Sequence, residues 1–323
     1  MEEGRRIRIG LLDFLWAGPA NDYVSVIQSL SEHVLAAEQM GFHRYWLGEH
    51  HVHGYATGSI LALLSWAASQ SCKIRVGTGA TLLAYHSPFV LAQEMCVLNA
   101  LSGRVDLGVG RGRADLRSAH EALLDGRPWN APALMEQGAY AAKLESLDRS
   151  LSETAAGLAG CGRPELWVCG SANAAEAAAS IGARFCYTLF HPGKKDAALL
   201  QRYRDAFLPS ADLSAPIAAV ALCGTWAETD AEAEARVASH PYIVYHPSVV
   251  GGPDEAARRW DEAIDRYSPD DVMWLDIATQ LTARRASWQR LIDHANRSGL
   301  AAGKLLGSHQ DQTNKEVIAC RTQ

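Results

Sequence analysis

The chain of 323 residues is 48% hydrophobic and carries a formal net charge of -6 spread over 30 basic and 36 acidic side chains. That is ample apolar material for a large α/β core, and the charge is too dispersed for a nucleic-acid footprint or a polybasic membrane patch. No apolar run reaches the length of a membrane span, and the N-terminus MEEGRRIRIG lacks both a long apolar region and a small-residue cleavage site, so a cytoplasmic protein is expected.

Strand-type and helical runs alternate along the whole chain. Ile7 to Leu12 predicts a first strand, and Tyr23, Val26, Ile27, Leu30, Val34 and Ala37 recur at helical spacing until Gly41. Residues 44–47 predict strand two, 60–70 a helix apolar on nearly every side, 73–78 strand three, Pro88 to about Ala100 a helix, and 105–108 strand four. The next strand, 165–169, lies far beyond a usual βα loop; the intervening RGRADLRSAHEALLDGRPWNAP reads as a flap, followed by a helix from Ala133 to about Leu158. Helix 172–181, strand 184–187, helix 194–207, strand 217–223 and a helix from Asp230 to about Ala238 come next. A Pro- and Tyr-bearing loop around PYIVYHPSVVGGP precedes helix 254–267, strand 271–275 and helix 282–297.

Eight such strands, each followed by a helix, predict a parallel sheet with right-handed crossovers, which eight units can close into a (β/α)8 barrel; an open doubly wound sheet shares the pattern. One barrel domain over residues 1–300 and a frayed polar tail over 301–323 are expected. The cysteines at 72, 96, 161, 169, 186, 223 and 320 never form CxxC, which favours reduced, mostly buried thiols over a disulfide framework or zinc ribbon. The apolar segments ILALLSWAASQ and Phe89 to Leu101 exceed what one barrel wall buries, and predict an isologous homodimer interface.

Four stretches carry candidate chemistry. In YWLGEHHVHGYATG, residues 45–58, Glu49, His50, His51 and His53 crowd where a strand gives way to a turn, the place where barrels put their reacting groups. Alternation sends His50 and His51 to opposite faces, so they do not converge on one ion; no HExxH or second carboxylate cluster occurs, and no metal is expected. In RVDLGVGRGR, glycines 108, 110 and 112 with Arg111 and Arg113 offer close backbone approach and guanidinium donors to a phosphate; Arg113 stands where a dinucleotide fingerprint needs its third glycine, and a tight turn is the plainer alternative. In LWVCGSANAAEAAASIG, a helix N-terminus with the Ser171 hydroxyl can hold an anion, or Ser171 or Asn173 can simply cap the helix. VGTGATLLAYHSP leaves strand three through Gly77, Gly79 and Ala80, small residues against which a flat ligand can lie. No GxSxG elbow supports a serine hydrolase.

Taken together, GFHRYWLGEHHVHGYATGS, KIRVGTGATLLAYHSPFVLAQEMCVLNALSGRVDLGVGRGR, LWVCGSANAAEAAASIGARF and DVMWLDI, in this order, resemble the bacterial luciferase-like flavin monooxygenase family. The resemblance is concentrated before the flap and around residues 165–190, and thins after Thr225. It implies a barrel whose strand mouths bind reduced FMN, with dioxygen as co-substrate, a flavin peroxide as oxidant and a small apolar or aromatic organic substrate. With no nicotinamide site evident, a separate flavin reductase is expected to supply the reduced cofactor. By position, His50 matches the catalytic histidine, with Glu49 and His51 as neighbouring candidates. Gly79 and Ala80 match the non-prolyl cis peptide beneath the flavin ring, with Thr81 adjoining; Arg111, Gly170, Ser171 and Ala172 match the phosphate site. Gly110, Gly170 and Ala174 replace the cysteine, glutamate and threonine of the luciferase catalytic subunit, so light emission is not implied. Hydride transfer with a deazaflavin and non-catalytic flavin binding are the rival expectations.

Overall fold

The computed structural model describes residues 6–17, 22–112, 117–124, 137–158, 162–240 and 245–300. In chain order it contains β1 (Arg8–Asp13), α1 (Tyr23–Met40), β2 (Arg44–Leu47), α2 (Ile60–Gln70), β3 (Arg75–Leu82), a single 3₁₀ turn (Leu83–Tyr85), α3 (Pro88–Ser102) and β4 (Val105–Gly110). The second half contains α4 (Arg117–Leu123), α5 (Gln137–Gly157), β5 (Glu165–Gly170), α6 (Ala172–Ser180), β6 (Arg184–Thr188), α7 (Leu199–Ala206), β7 (Ala218–Trp226), α8 (Asp230–Ser239), β8 (Val249–Gly251), α9 (Pro253–Tyr267), β9 (Asp271–Asp276) and α10 (Leu281–Arg297).

The helix boundaries have local causes. Asp22 accepts from the Ser25 amide to cap α1, and Gly41 ends it in the left-handed conformation at φ 86°. Pro88 occupies the first turn of α3, where its missing N–H costs nothing.

Strands β1 to β7 and β9 pair in parallel, and β9 joins both β1 and β7, so eight strands close into a TIM barrel. Alternation divides the core. Tyr45, Leu47, Val220, Leu222, Val272 and Trp274 pack with the helices, whereas Trp46, Trp167, Ala219, Ala221, Cys223 and Met273 fill the barrel interior. Small Ala219 and Ala221 share that interior with the indoles of Trp46 and Trp167, whose rings lie 5.3 Å apart.

The floor of the barrel, at the N-terminal strand ends, is ionic. Arg44 is fully buried; its guanidinium lies 2.7 Å from Asp106 and 2.8 Å from Asp271 and sits 4.8 Å above the Trp167 ring. Arg75 and the Trp46 indole also donate to Asp106, and Arg8 donates to Asp271. Burial pushes the Asp106 carboxyl up, but Arg44 and Arg75 outweigh it and hold it below the usual carboxylate range.

Several expectations need correction. Strand three does not stop at Thr78: after a register shift, Thr81 and Leu82 pair with Val109 and Gly110. A short ninth strand, β8, lies in the expected Pro- and Tyr-bearing loop and pairs with the end of β7 from Gly224 to Trp226. Helix α7 starts at Leu199 rather than 194, because the preceding amides are used elsewhere: Asp196 N donates to the Tyr187 hydroxyl and Ala198 N to the Asp196 side chain. The flap contains the helix α4, and its residues 113–116 and 125–132 lie outside the described ones, as do residues 133–136 at the start of the expected following helix and the tail 301–323. Cys72 is disulfide-bonded and not a free thiol, since pairing depends on proximity that spacing along the chain does not reveal. Cys96, Cys169, Cys186 and Cys223 are free and buried, and Cys161 and Cys320 fall outside the described residues. Among the described residues no helix is long and apolar enough to cross a membrane.

Candidate active site

The mouth of the barrel is organised by the residues that follow β2. Its ladder runs two residues past the strand, with Gly48 N donating to Asp13 O at 3.0 Å and Glu49 N to Ala80 O at 3.1 Å. The strand parity therefore continues: Trp46 and His50 point inward, Glu49 and His51 away from them. Gly48 allows this, because a Cβ there would lie 2.0 Å from the Phe14 ring.

His50 stands in an aromatic enclosure. The Phe14 edge meets its ring at 4.5 Å, Tyr55 stacks on it at 4.8 Å and 24°, and the Tyr245 hydroxyl lies 2.9 Å from Nε2. Phe190 packs in turn on Phe14 and Tyr245. Glu49, in contrast, is buried beneath β3, where it accepts from the Leu82 amide at 2.8 Å and pairs with His51 at 2.7 Å and His86 at 2.9 Å. Burial pushes its carboxyl up, yet the bonds from His51, His86 and Leu82 prevail and hold it at about 2. Glu49 thus clasps the loop to the end of β3. His53 is exposed and joins neither group.

Beside this lies the end of β3. The Gly79–Ala80 peptide is cis, and Thr81 is fully buried, with a hydroxyl that has no hydrogen-bond partner among the described residues. Lys143 of α5 pins the following turn by donating to the carbonyls of Leu83, Ala84 and His86 at 2.7 to 3.0 Å.

Across the mouth, β4 and β5 end in small and cationic groups. Among the described residues, a Cβ on Gly110 would meet Ala80 Cβ at 3.4 Å and Cys169 O at 3.7 Å. Arg111, exposed just past β4, accepts from Ala84 N through its carbonyl. Gly170, at φ 152°, turns β5 into α6, and Ser171 is its N-cap residue. The Ser171 side chain makes no capping bond, so ordinary N-capping is not its use here. Ala172 is exposed in the first turn. Tyr140 of α5 is buried near Cys169 and Arg111, its hydroxyl without a hydrogen-bond partner among the described residues, and its pKa is pushed up by burial.

The candidates read from the sequence thus fall on one rim: His50, Glu49, His51, Gly79, Ala80, Thr81, Arg111, Gly170, Ser171 and Ala172 all lie at or just beyond the C-terminal ends of β2 to β5. Phe14, Tyr55, His86, Tyr140, Phe190 and Tyr245 complete the site and were not singled out. Tyr55 and His86 sit inside stretches already marked and Tyr245 in the Pro- and Tyr-bearing loop, but Phe14, Tyr140 and Phe190 carry no local signal.

A family model described as luciferase-like monooxygenase matches residues 7–295. The luciferase-like monooxygenase of Escherichia coli strain K12 is 32% identical over 209 residues, which are 61% of this chain and 60% of that protein. Among solved structures, apo-MsnO8 has a TM-score of 0.78 at 24% identity over 92% of this chain and all of that one. The oxygenating constituent of 3,6-diketocamphane monooxygenase from Pseudomonas putida, solved in complex with FMN, has a TM-score of 0.66 at 16% identity over 88% and 96% of the two chains. At these identities the two structures speak to the fold.

Proposed function

The chain belongs to the luciferase-like monooxygenase family, and from that premise we propose that it oxygenates a small apolar or aromatic organic substrate with reduced FMN and dioxygen. The observation that carries this reading is the opposition, within one mouth, of an anion-binding rim to a histidine in an apolar enclosure. Arg111, the α6 N-terminus and the Ser171 hydroxyl suit a phosphate. Ala80 and Gly110 carry little or no side chain where a planar ring would lie, and the buried hydroxyls of Thr81 and Tyr140, without a hydrogen-bond partner among the described residues, supply polar contacts that a protein interior seldom leaves unmet. The FMN complex of the diketocamphane enzyme adds support for the cofactor class.

Bound FMN supplies the activation of dioxygen, one atom of which enters the substrate while the other leaves as water. The chain's own groups bind, orient and exclude solvent. Phe14, Tyr55, Phe190 and Tyr245 present apolar ring surface to a substrate and keep water from the reacting centre. His50 can give or take a proton there, and Glu49 with His51 and His86 holds the loop that carries it. A separate flavin reductase supplies the reduced cofactor in the cytoplasm.

Arg111→Ala tests the assignment of the phosphate rim. Losing a charge-assisted contact of about 1.5–3 kcal/mol should weaken FMN far more than riboflavin in a binding titration; equal losses would remove Arg111 from the phosphate site. Dioxygen consumed mole for mole with product separates oxygenation from deazaflavin hydride transfer. FMN binding without turnover over a broad substrate panel would mark a flavin-binding protein instead.

We also propose a homodimer through α2 and α3. Trp66, Phe89, Val90, Val97 and Leu101 are exposed along these helices, and a groove of about 640 Å³ runs between them, lined by Leu61, Val97, Leu98 and Leu101. Light scattering at micromolar concentration should give twice the chain mass, and Val97→Glu should return it to one; a wild-type monomer contradicts the proposal.

A further inference from the structure

We propose that Arg284 is a specificity-determining residue of the mouth: its Nε–H donates to an uncharged oxygen, a carbonyl or a hydroxyl, on the substrate. The inference rests on the reading of the mouth as the site of an apolar or aromatic substrate, and it adds the polar end that such a substrate carries.

Between the C-terminal ends of β1 and β9 lies a recess of about 30 Å³. Arg284, in the first turn of α10, lines it together with Trp16, Tyr55, His240, Tyr245 and Asp276. That volume admits one or two groups the size of a water molecule and excludes a ring. Phe14, Tyr55 and Tyr245 belong both to its wall and to the rings around His50, so the recess adjoins the same enclosure. A substrate whose apolar body lies among those rings can therefore place one small polar group in it.

Arg284 is 7% exposed, and the end of its fork is committed: Nη1 donates to Asp13 Oδ2 at 3.0 Å and Nη2 to Oδ1 at 2.7 Å. Asp13 is held in turn by the Leu15 amide at 2.9 Å and the Tyr45 hydroxyl at 2.6 Å. This pairing leaves the side edge of the guanidinium, Nε–H, which has no hydrogen-bond partner among the described residues. A buried cationic donor is costly to leave unmet, so an acceptor that reaches it is held strongly. The surrounding charge selects the acceptor. Asp13 neutralises the guanidinium, and Asp276, anchored by Trp274 Nε1 at 3.1 Å and Ala278 N at 2.8 Å, brings a second carboxyl. Burial pushes the Asp276 carboxyl up, so the recess already resists the negative charge it has. Burial and then Arg284 push the His240 imidazole down, which removes it as a second cation. A substrate carboxylate or phosphate is thus repelled, and an uncharged oxygen fits.

The test uses the full chain, without flavin, and matched probes: acetophenone, ethylbenzene and benzoate, with their 2-naphthyl counterparts. Dissociation constants are measured by ligand-observed NMR. Each ketone should bind at least about tenfold tighter than its hydrocarbon and its carboxylate. Arg284→Lys, whose ammonium stays with Asp13 while Nε–H is lost, should abolish the preference for the ketone over the hydrocarbon. A second measurement needs no variant and decides the matter if Arg284→Lys does not fold. In wild-type protein with ¹⁵N-labelled arginine, the ketone should shift the Arg284 Nε–H resonance and the hydrocarbon should not. Equal affinity for ketone and hydrocarbon, or for ketone and carboxylate, overturns the proposal. So does the absence of ketone binding at millimolar concentration, a preference that survives Arg284→Lys, or an Nε–H resonance that the ketone leaves in place. Turnover is scored separately. Ketones that bind as expected, in a protein that forms no oxygenated product from any probe with reduced FMN and dioxygen, would sink the monooxygenase reading and leave the recess standing. Product formed with no preference for the acceptor oxygen would sink the role of Arg284 alone.

Discussion

His50→Ala should fold, bind FMN and lose substrate oxygenation by about 10²- to 10⁴-fold, the usual contribution of general acid or base help, with dioxygen diverted to hydrogen peroxide. The enclosure predicts that the loss is chemical. His50 is half-buried and packed by the rings of Phe14, Tyr55 and Tyr245, which can close on the space left by the smaller side chain. The rim proposed to hold FMN lies on β3 to β5, away from these rings. His51→Ala should behave differently. It removes one of two imidazoles from the buried Glu49 carboxylate, so its main effect should be on the stability of the loop, with a smaller loss of product. Measuring product and peroxide per flavin oxidised separates the two cases. Wild-type coupling in His50→Ala would make the histidine scaffold.

Arg44→Met should destabilise the barrel by about 3–5 kcal/mol, because it leaves two buried carboxylates, Asp106 and Asp271, without their shared counter-ion. The methionine nearly matches the aliphatic stem of arginine, so the loss is not one of volume. Desolvation of Asp106 is offset by Arg44 first and Arg75 second, and the pair with Asp271 is an ion contact outside aligned hydrogen-bond geometry. Substituting the arginine alone is therefore costly, whereas replacing the whole cluster with packed apolar residues need not be. Chemical denaturation measures the difference at once; a change below about 1 kcal/mol would show that water or backbone relaxation solvates the carboxylates in place of Arg44. Since the cluster lies at the N-terminal strand ends, FMN affinity of the folded fraction should be unaltered.

The eight barrel strands were legible because each buries both faces and reads as a short apolar run between turn residues. YWL in β2, LWVC in β5 and VMWL in β9 are such runs. The short β8 was not legible, since VVG between Pro and Gly residues has the composition of a loop and becomes a strand only by pairing with the end of β7. The extension of β3 was hidden for a related reason: Gly79 and Ala80 look like a turn, and the ladder resumes beyond them through a register shift.

Local spacing by itself determined the alternation of strands and helices, the separation of His50 from His51 by strand parity, and the clustering of Gly79, Arg111 and Ser171 at strand ends. Each follows from a backbone period of two or 3.6 residues, which neighbouring residues suffice to set. Tertiary structure alone decided which partner each polar group acquired. Glu49 went to His51 and His86, not to His50; Tyr245 reached His50; Arg44 met Asp106 and Asp271; and Cys72 was disulfide-bonded. The contacts of Glu49 with His86, Tyr245 with His50, and Arg44 with Asp106 and Asp271 join residues far apart in the chain. They depend on closure of the barrel, which brings β1, β2 and β9 side by side and sets the β7–β8 connection against the end of β2, and no local period encodes that distance.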